Sequence, residues 1–250
     1  MDDWSSYLAD FQAERPGIAD ALLSRCISGH HNPYRWLARA VSAQATRVLD
    51  IRCGAGAMGR ELASDGRTVL GLDQSSAELA NATGPGPFVQ GDARALPFSD
   101  ECFDAVVSTL GWAMIHPTED FLDEVARVLR PGGVFVGLVP TVRPLNVKDL
   151  KVAGQLTRLL QGTPQFPSSV ELRVSKLLAP HGLRKAEDAR ERYHYDVTNR
   201  EDAELLLRAF HLPDLDPERR QQAVDWMVRR ADKQGVVQVP VPLRRIVALK

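Results

Sequence analysis

The sequence predicts an α/β fold around a mostly parallel sheet, and three observations lead there. Between Arg47 and Val139, short apolar runs alternate with helical stretches, the pattern of successive β-α-β units. The first run ends in the small residues Cys53-Gly54-Ala55-Gly56, just ahead of a helical stretch from Met58 to Leu62. Acidic residues, Asp73 and Asp92, follow the next two runs.

The elements follow in order. Residues 1–45 read as an amino-terminal helical lid segment. Leu8 and Phe11, then Ile18, Leu22 and Leu23, and later Trp36, Leu37 and Val41 recur at helical spacing, with a break at His30-His31-Asn32-Pro33. Residues 46–250 form the main domain. Val48-Leu49, Val69-Leu70, Phe88-Val89, Val106-Val107 and Val134 to Val139 are its buried strands. An insertion at about 141–170 includes an amphipathic helix over 146–161. Helical spacing returns at Val170 to Leu178, an extended stretch covers Leu183 to Tyr195, and two helices cover Glu201 to Phe210 and Pro217 to Lys233. Leu243 to Leu249 closes the pattern as a strand.

Composition narrows the function. Hydrophobic residues make up 44% and charged residues 25%, enough apolar material for one sizeable core. The formal net charge of -1 supplies no field to gather a polyanion, so nucleic acid is disfavoured. No segment approaches the roughly 20 apolar residues of a membrane span, and the start MDDWSSYLADF has no signal-peptide pattern. Cys26, Cys53 and Cys102 are odd in number and far apart, which predicts a reducing, cytoplasmic setting. Cys26, His30 and His31 resemble half a metal site, but without a second Cys/His pair no metal is expected.

The turn after the first strand carries the chemistry. Glycine there lets a ligand approach the main chain, and the following helix offers unpaired amides and a positive dipole end. Asp73 lies nineteen residues beyond Gly54, and Asp92 nineteen further. Ends of neighbouring parallel strands share one cleft, so both carboxylates can face one nucleoside.

The stretch Arg47-Val48-Leu49-Asp50-Ile51-Arg52-Cys53-Gly54-Ala55-Gly56 resembles the opening motif of class I S-adenosylmethionine-dependent methyltransferases, in the methyltransferase type 11-like branch. Asp-Ala-Arg-Ala-Leu-Pro-Phe at 92–98, Phe-Asp-Ala-Val-Val-Ser at 103–108 and Glu-Val-Ala-Arg-Val-Leu-Arg-Pro-Gly-Gly at 124–133 resemble its later blocks. The resemblance covers about residues 45–140 and implies a Rossmann-like sheet of seven strands, the last antiparallel, with helices on both faces. It also implies S-adenosylmethionine as cofactor and S-adenosylhomocysteine as product. Asp50, Gly54 and Gly56 would surround the methionine portion and Asp73 would hold the ribose hydroxyls, with Arg52, Cys53, Ala55 and Gln74 counted among the cofactor-binding residues. Asp92 and Ala93 would read the adenine, with Ser108 nearby.

One residue departs from that pattern: Arg52 stands where the family has the first glycine of its turn. Its side chain either crowds the methionine portion and repels the sulfonium, or reaches the cofactor carboxylate or an anionic acceptor. His116 is the candidate general base, against a plain loop role before the helix near Glu119. Trp112 either stacks on an acceptor ring or packs beneath the insertion. Tyr34 and Trp36 belong either to a lid or to the core. Arg219-Arg220, Arg229-Arg230 and Arg244-Arg245 could face RNA, but residues 181–250 hold 14 basic and 12 acidic residues, a mixed surface. The expected function is methyl transfer to a small metabolite. Its acceptor pocket would be built from the amino-terminal helices, the Gly111-to-Pro117 loop and the insertion. The alternatives are RNA methylation, or a non-catalytic ligand-binding or interaction module.

Overall fold

The computed structural model describes residues 2–167 and 174–250. Three helices open the chain: α1 (Asp2–Glu14), α2 (Ile18–Arg25) and α3 (Pro33–Ala38). The alternating part follows as β1 (Arg47–Ile51), α4 (Ala57–Leu62), β2 (Thr68–Asp73), α5 (Ser76–Ala80), β3 (Phe88–Gln90), β4 (Phe103–Thr109), α6 (Gly111–Met114), α7 (Thr118–Val128) and β5 (Leu129–Pro140). The remainder holds α8 (Val147–Leu160), α9 (Val174–Leu178), β6 (Arg184–Val197), α10 (Arg200–Ala209), α11 (Pro217–Gln234) and β7 (Val237–Leu249).

The seven strands form one sheet in the order β3-β2-β1-β4-β5-β7-β6. The first five run parallel; β7 pairs antiparallel with both β5 and β6. Alternate residues feed opposite faces, as a pleated strand requires. Val48, Val107 and Val136 enter one core cluster, while Leu49, Val106 and Phe135 enter the other. The order reverses between β1 and β4, which opens a crevice at their carboxyl ends.

The last strand starts at Val237, six residues before the expected Leu243. Pro240 and Pro242 argue against a strand there, since proline cannot donate to a ladder. They are tolerated because β5 pairs with β7 only up to Pro140↔Leu243, so one side of this segment lacks the β5 ladder. The Gly111-to-Pro117 loop proves to begin with the turn of α6.

The amino-terminal helices share a core with the sheet: Leu22, Leu23, Trp36 and Leu37 pack in the same cluster as Val48 and Val107. In the insertion, Val152, Leu156 and Leu160 of α8 turn inward, whereas Val147 and Leu150 are exposed. Residues 168–170 of the insertion and 170–173 of the expected helix before Leu178 lie outside the described residues.

Candidate active site

The crevice at the switch point is a small cavity of about 80 Å³. Its floor is Asp50, Arg52, Cys53 and Gly54 from β1 and the turn, and Asp73 at the end of β2. Ile18, Asp20 and Leu23 of α2 and Leu8 and Phe11 of α1 cover it. Asp73 is fixed by two amides: Gly54 N–H donates to Oδ2 and Ser75 N–H to Oδ1, each at 3.0 Å. Gly56 is required by the close packing of the turn. Its φ is 87°, and a Cβ there would lie 2.6 Å from the Thr83 carbonyl oxygen.

Asp20 and Glu78 complete the acidic lining, and neither stands out in the sequence. The Asp20 carboxylate accepts the Ala57 amide at 3.1 Å and the Tyr34 hydroxyl. The Glu78 carboxylate accepts the Gly17 amide at 2.9 Å, tying the start of α2 to α5. The amides expected to be free at the start of α4 are therefore partly taken, since a carboxylate of this chain already occupies the one at Ala57. An anionic ligand is thereby disfavoured at that turn.

Asp50 is the outlier. It is 1% exposed, and both its carboxylate oxygens are buried without a hydrogen-bond partner among the described residues. Burial, with Asp20 and Asp73 adding their charge, holds its carboxyl well above the usual range. Glu78 is pushed up to about 7, chiefly by burial, and burial also raises Asp20 and the Cys53 thiol. Four carboxylates thus face one cavity, with Arg52 as the single Lys or Arg side chain among the described residues that line it.

Arg52 adopts φ 57°, the left-handed region that a glycine would enter freely. Its Cβ and Cγ lie where a Cβ on Gly111 would sit, at 2.6 and 2.8 Å, so the side chain leans across the crevice onto the α6 turn. Among the described residues its guanidinium makes no hydrogen bond or salt bridge; it acts through space on Glu78, Asp92 and His211.

Most of the other expected residues lie outside this cavity. Asp92 is bound bidentately by Arg94, which lowers its pKa, and it lines neither cavity described here. Ala93 and Ser108 are buried, and Gln74 offers its carbonyl to Gln90. His116 is exposed, with its carbonyl taken by Arg94 at 3.1 Å. Trp112 is fully buried against Phe135, at 5.2 Å between ring centroids, and lines neither cavity. Tyr34 lines the small cavity, whereas Trp36 is buried under the Arg245 guanidinium. Arg244 and Arg245 pair with Asp188 and Glu187, so they do not form a free basic face.

A second cavity of about 570 Å³ abuts the first, and Phe11, Ala19, Leu23, Leu110 and His211 line both. Its walls come from α8, β7 and the segment after β5, all parts of the region expected to hold the acceptor except β7. His211, like Asp20 and Glu78, is a lining residue that sequence reasoning passed over. It follows α10, far along the chain from Phe11, against whose ring it packs at 4.2 Å.

Residues 49–137 match the family described as a methyltransferase domain. This stretch belongs to that family. The methyltransferase domain is 42% identical over 93 residues to a demethylmenaquinone methyltransferase of Beutenbergia cavernae, a match covering 36% of this chain and 39% of that protein. It is 40% identical over 111 residues to a fatty-acid O-methyltransferase of Mycolicibacterium smegmatis, covering 41% and 40%. The matches span about two-fifths of the length of these curated relatives. The fold is similar to that of Haemonchus contortus phosphoethanolamine N-methyltransferase 2 in complex with S-adenosylhomocysteine. That likeness has a TM-score of 0.61 at 20% identity and covers 99% of this chain and 60% of the other.

Proposed function

We propose that this chain is an S-adenosylmethionine-dependent methyltransferase acting on a small-molecule acceptor. Asp50 carries the reading. A sealed carboxylate without a partner is costly, and among Asp20, Asp73 and Glu78 it makes a site for positive charge. The cofactor's ammonium and sulfonium groups suit that lining. When bound, the cofactor supplies an electrophilic methyl group on sulfur. Asp50 would face its methionine portion, and Asp73, held rigid by the Gly54 and Ser75 amides, would accept from the ribose hydroxyls.

The covering helices set a condition on entry. At about 80 Å³ the cavity is smaller than ordinary small-molecule pockets of roughly 300–1,000 Å³. Entry thus requires α1 and α2 to shift, which fits a lid role for residues 1–45. No base is assigned to His116, whose side chain is exposed; its position favours the loop role. No helix among the described residues is long and apolar enough to cross a membrane, and we place the chain in the cytoplasm on its three free thiols.

Arg52 supports a second reading, a methyltransferase fold retained as a binding module, because its side chain leans across the crevice. Calorimetric titration with S-adenosylmethionine and S-adenosylhomocysteine separates the two. Binding that is lost in Asp73→Ala and Asp50→Ala, with Asp92→Ala affected less because Arg94 already holds that carboxylate, supports the enzyme. Silence of the folded protein toward both ligands overturns it.

A further inference from the structure

The larger cavity has a one-sided chemistry. Leu22, Leu145, Leu156, Leu160, Val239 and Leu243 supply aliphatic wall, and the described lining holds no Asp, Glu, Lys or Arg. Thr141, Thr157 and Thr163 are its hydroxyl groups, and His211 is its one titratable side chain. About 570 Å³ of such space lies within the range of small-molecule sites and exceeds what ordered water alone would fill without polar partners.

Polarity is concentrated where this cavity meets the small one. His211 lines both, with Nδ1 sealed and unpartnered among the described residues. Arg52 lines the small cavity and acts through space on His211, with a guanidinium that no carboxylate of the described residues pairs. Its charge, together with Arg15 and foremost burial, pushes His211 down to about 4, so the ring is neutral at pH 7 and keeps one N–H to donate. The carboxylates of Asp20, Asp50, Asp73 and Glu78 face the other cavity, which the cationic methyl donor would occupy.

We infer that the larger cavity is the acceptor site for an aliphatic carboxylate, its chain lying among Leu22, Leu156, Leu160 and Val239 and its head group received between Arg52 and His211. The apolar walls take the chain by burial, at roughly 25 cal/mol per Å² of apolar surface. The fork of Arg52 suits two carboxylate oxygens and discriminates against an ammonium head. Calling the occupant an acceptor rests on the methyl-transfer reading; the binding itself does not.

The test is calorimetry of the full chain with decanoate and decylamine, which share a chain and differ in head-group charge. Decanoate is expected to bind saturably at one site, at least ten-fold more tightly than decylamine. Arg52→Met is expected to erase that preference, and Arg52→Lys to keep most of it. Ala153→Trp, which fills the cavity, is expected to weaken decanoate at least ten-fold; Thr157→Trp at the more exposed rim serves if the first variant fails to fold. Equal affinity for the two amphiphiles, a preference unchanged in Arg52→Met, or undiminished binding in a folded cavity-filling variant overturns the inference. S-adenosylhomocysteine titrated in parallel separates the two failures. Decanoate binding without it upholds the cavity and sinks the methyltransferase reading; the reverse pattern overturns the cavity alone.

Discussion

Asp20 Oδ2 accepts the Ala57 amide at 3.1 Å, joining a carboxylate from the covering helix α2 to the turn that leads into α4. The covering helix α2 and the turn into α4 are therefore one hydrogen-bonded unit, with Tyr34 holding the second carboxylate oxygen. Asp20→Ala leaves that amide and the buried Tyr34 hydroxyl without their partner. We expect a loss of about 1–3 kcal/mol in denaturant unfolding. An unchanged midpoint and slope would mean that the lid is held by apolar packing alone.

Glu78 gives the site a pH dependence near neutrality. Its pKa in the folded chain is about 7, raised from 4.5 chiefly by burial, with Asp73 and Asp20 opposing ionisation and the Gly17 amide and Arg52 favouring it. A carboxyl raised on folding binds more protons in the native state, so its contribution to stability falls as pH rises from about 4.5 to 7. A cationic ligand reverses that penalty. S-adenosylmethionine is thus expected to bind more tightly at pH 8 than at pH 6, and Glu78→Gln to flatten the difference. Titrations at the two pH values, with and without the substitution, check both statements.

Arg52 stores backbone strain at φ 57°. Arg52→Gly removes the Cβ from the left-handed region and frees the space beside Gly111, so thermal stability is expected to rise by roughly 1–2 kcal/mol. Cofactor affinity is expected to rise with it, since one like charge leaves the sulfonium's surroundings. A fall in affinity would show instead that Arg52 pairs with the cofactor carboxylate.

Trp112 has a structural job. It is fully buried against Phe135, and a Cβ on Gly137 would lie 2.7 Å from its ring. Trp112→Ala is expected to cost about 3–5 kcal/mol by opening a cavity beneath the sheet. Melting curves measure this, and a stable variant with selectively impaired acceptor binding would restore the stacking role.

The sheet was legible because its strands are local: Val48-Leu49, Val69-Leu70 and Val106-Val107 are short apolar runs bounded by turns, and each begins or lies within an observed strand. Asp50 and Asp73 were legible because strand ends are fixed by those runs. Other site residues depend on contacts that no local spacing encodes. Ser75 and Glu78 have the spacing of a helix cap, and Ser75 does accept the Glu78 amide, yet the Glu78 carboxylate reaches to Gly17. His211 meets Phe11 only because α10 folds back over the amino-terminal helices. Arg94, two residues beyond Asp92, engages that carboxylate, a competition that motif spacing does not reveal.

The placement of β7 between β5 and β6 also sets an order of assembly. Val134 pairs with Leu249 and Pro140 with Leu243, so each contact of this ladder closes about a hundred residues of intervening chain. Pairings this distant form slowly, whereas β1, β2, β3 and β4 are joined through much shorter connections. Refolding is therefore expected to complete the parallel half first and to seat β7 in a later phase. Val239 and Leu243 of β7 wall the larger cavity, so decanoate binding would report on that last phase, while cofactor binding would follow the earlier one.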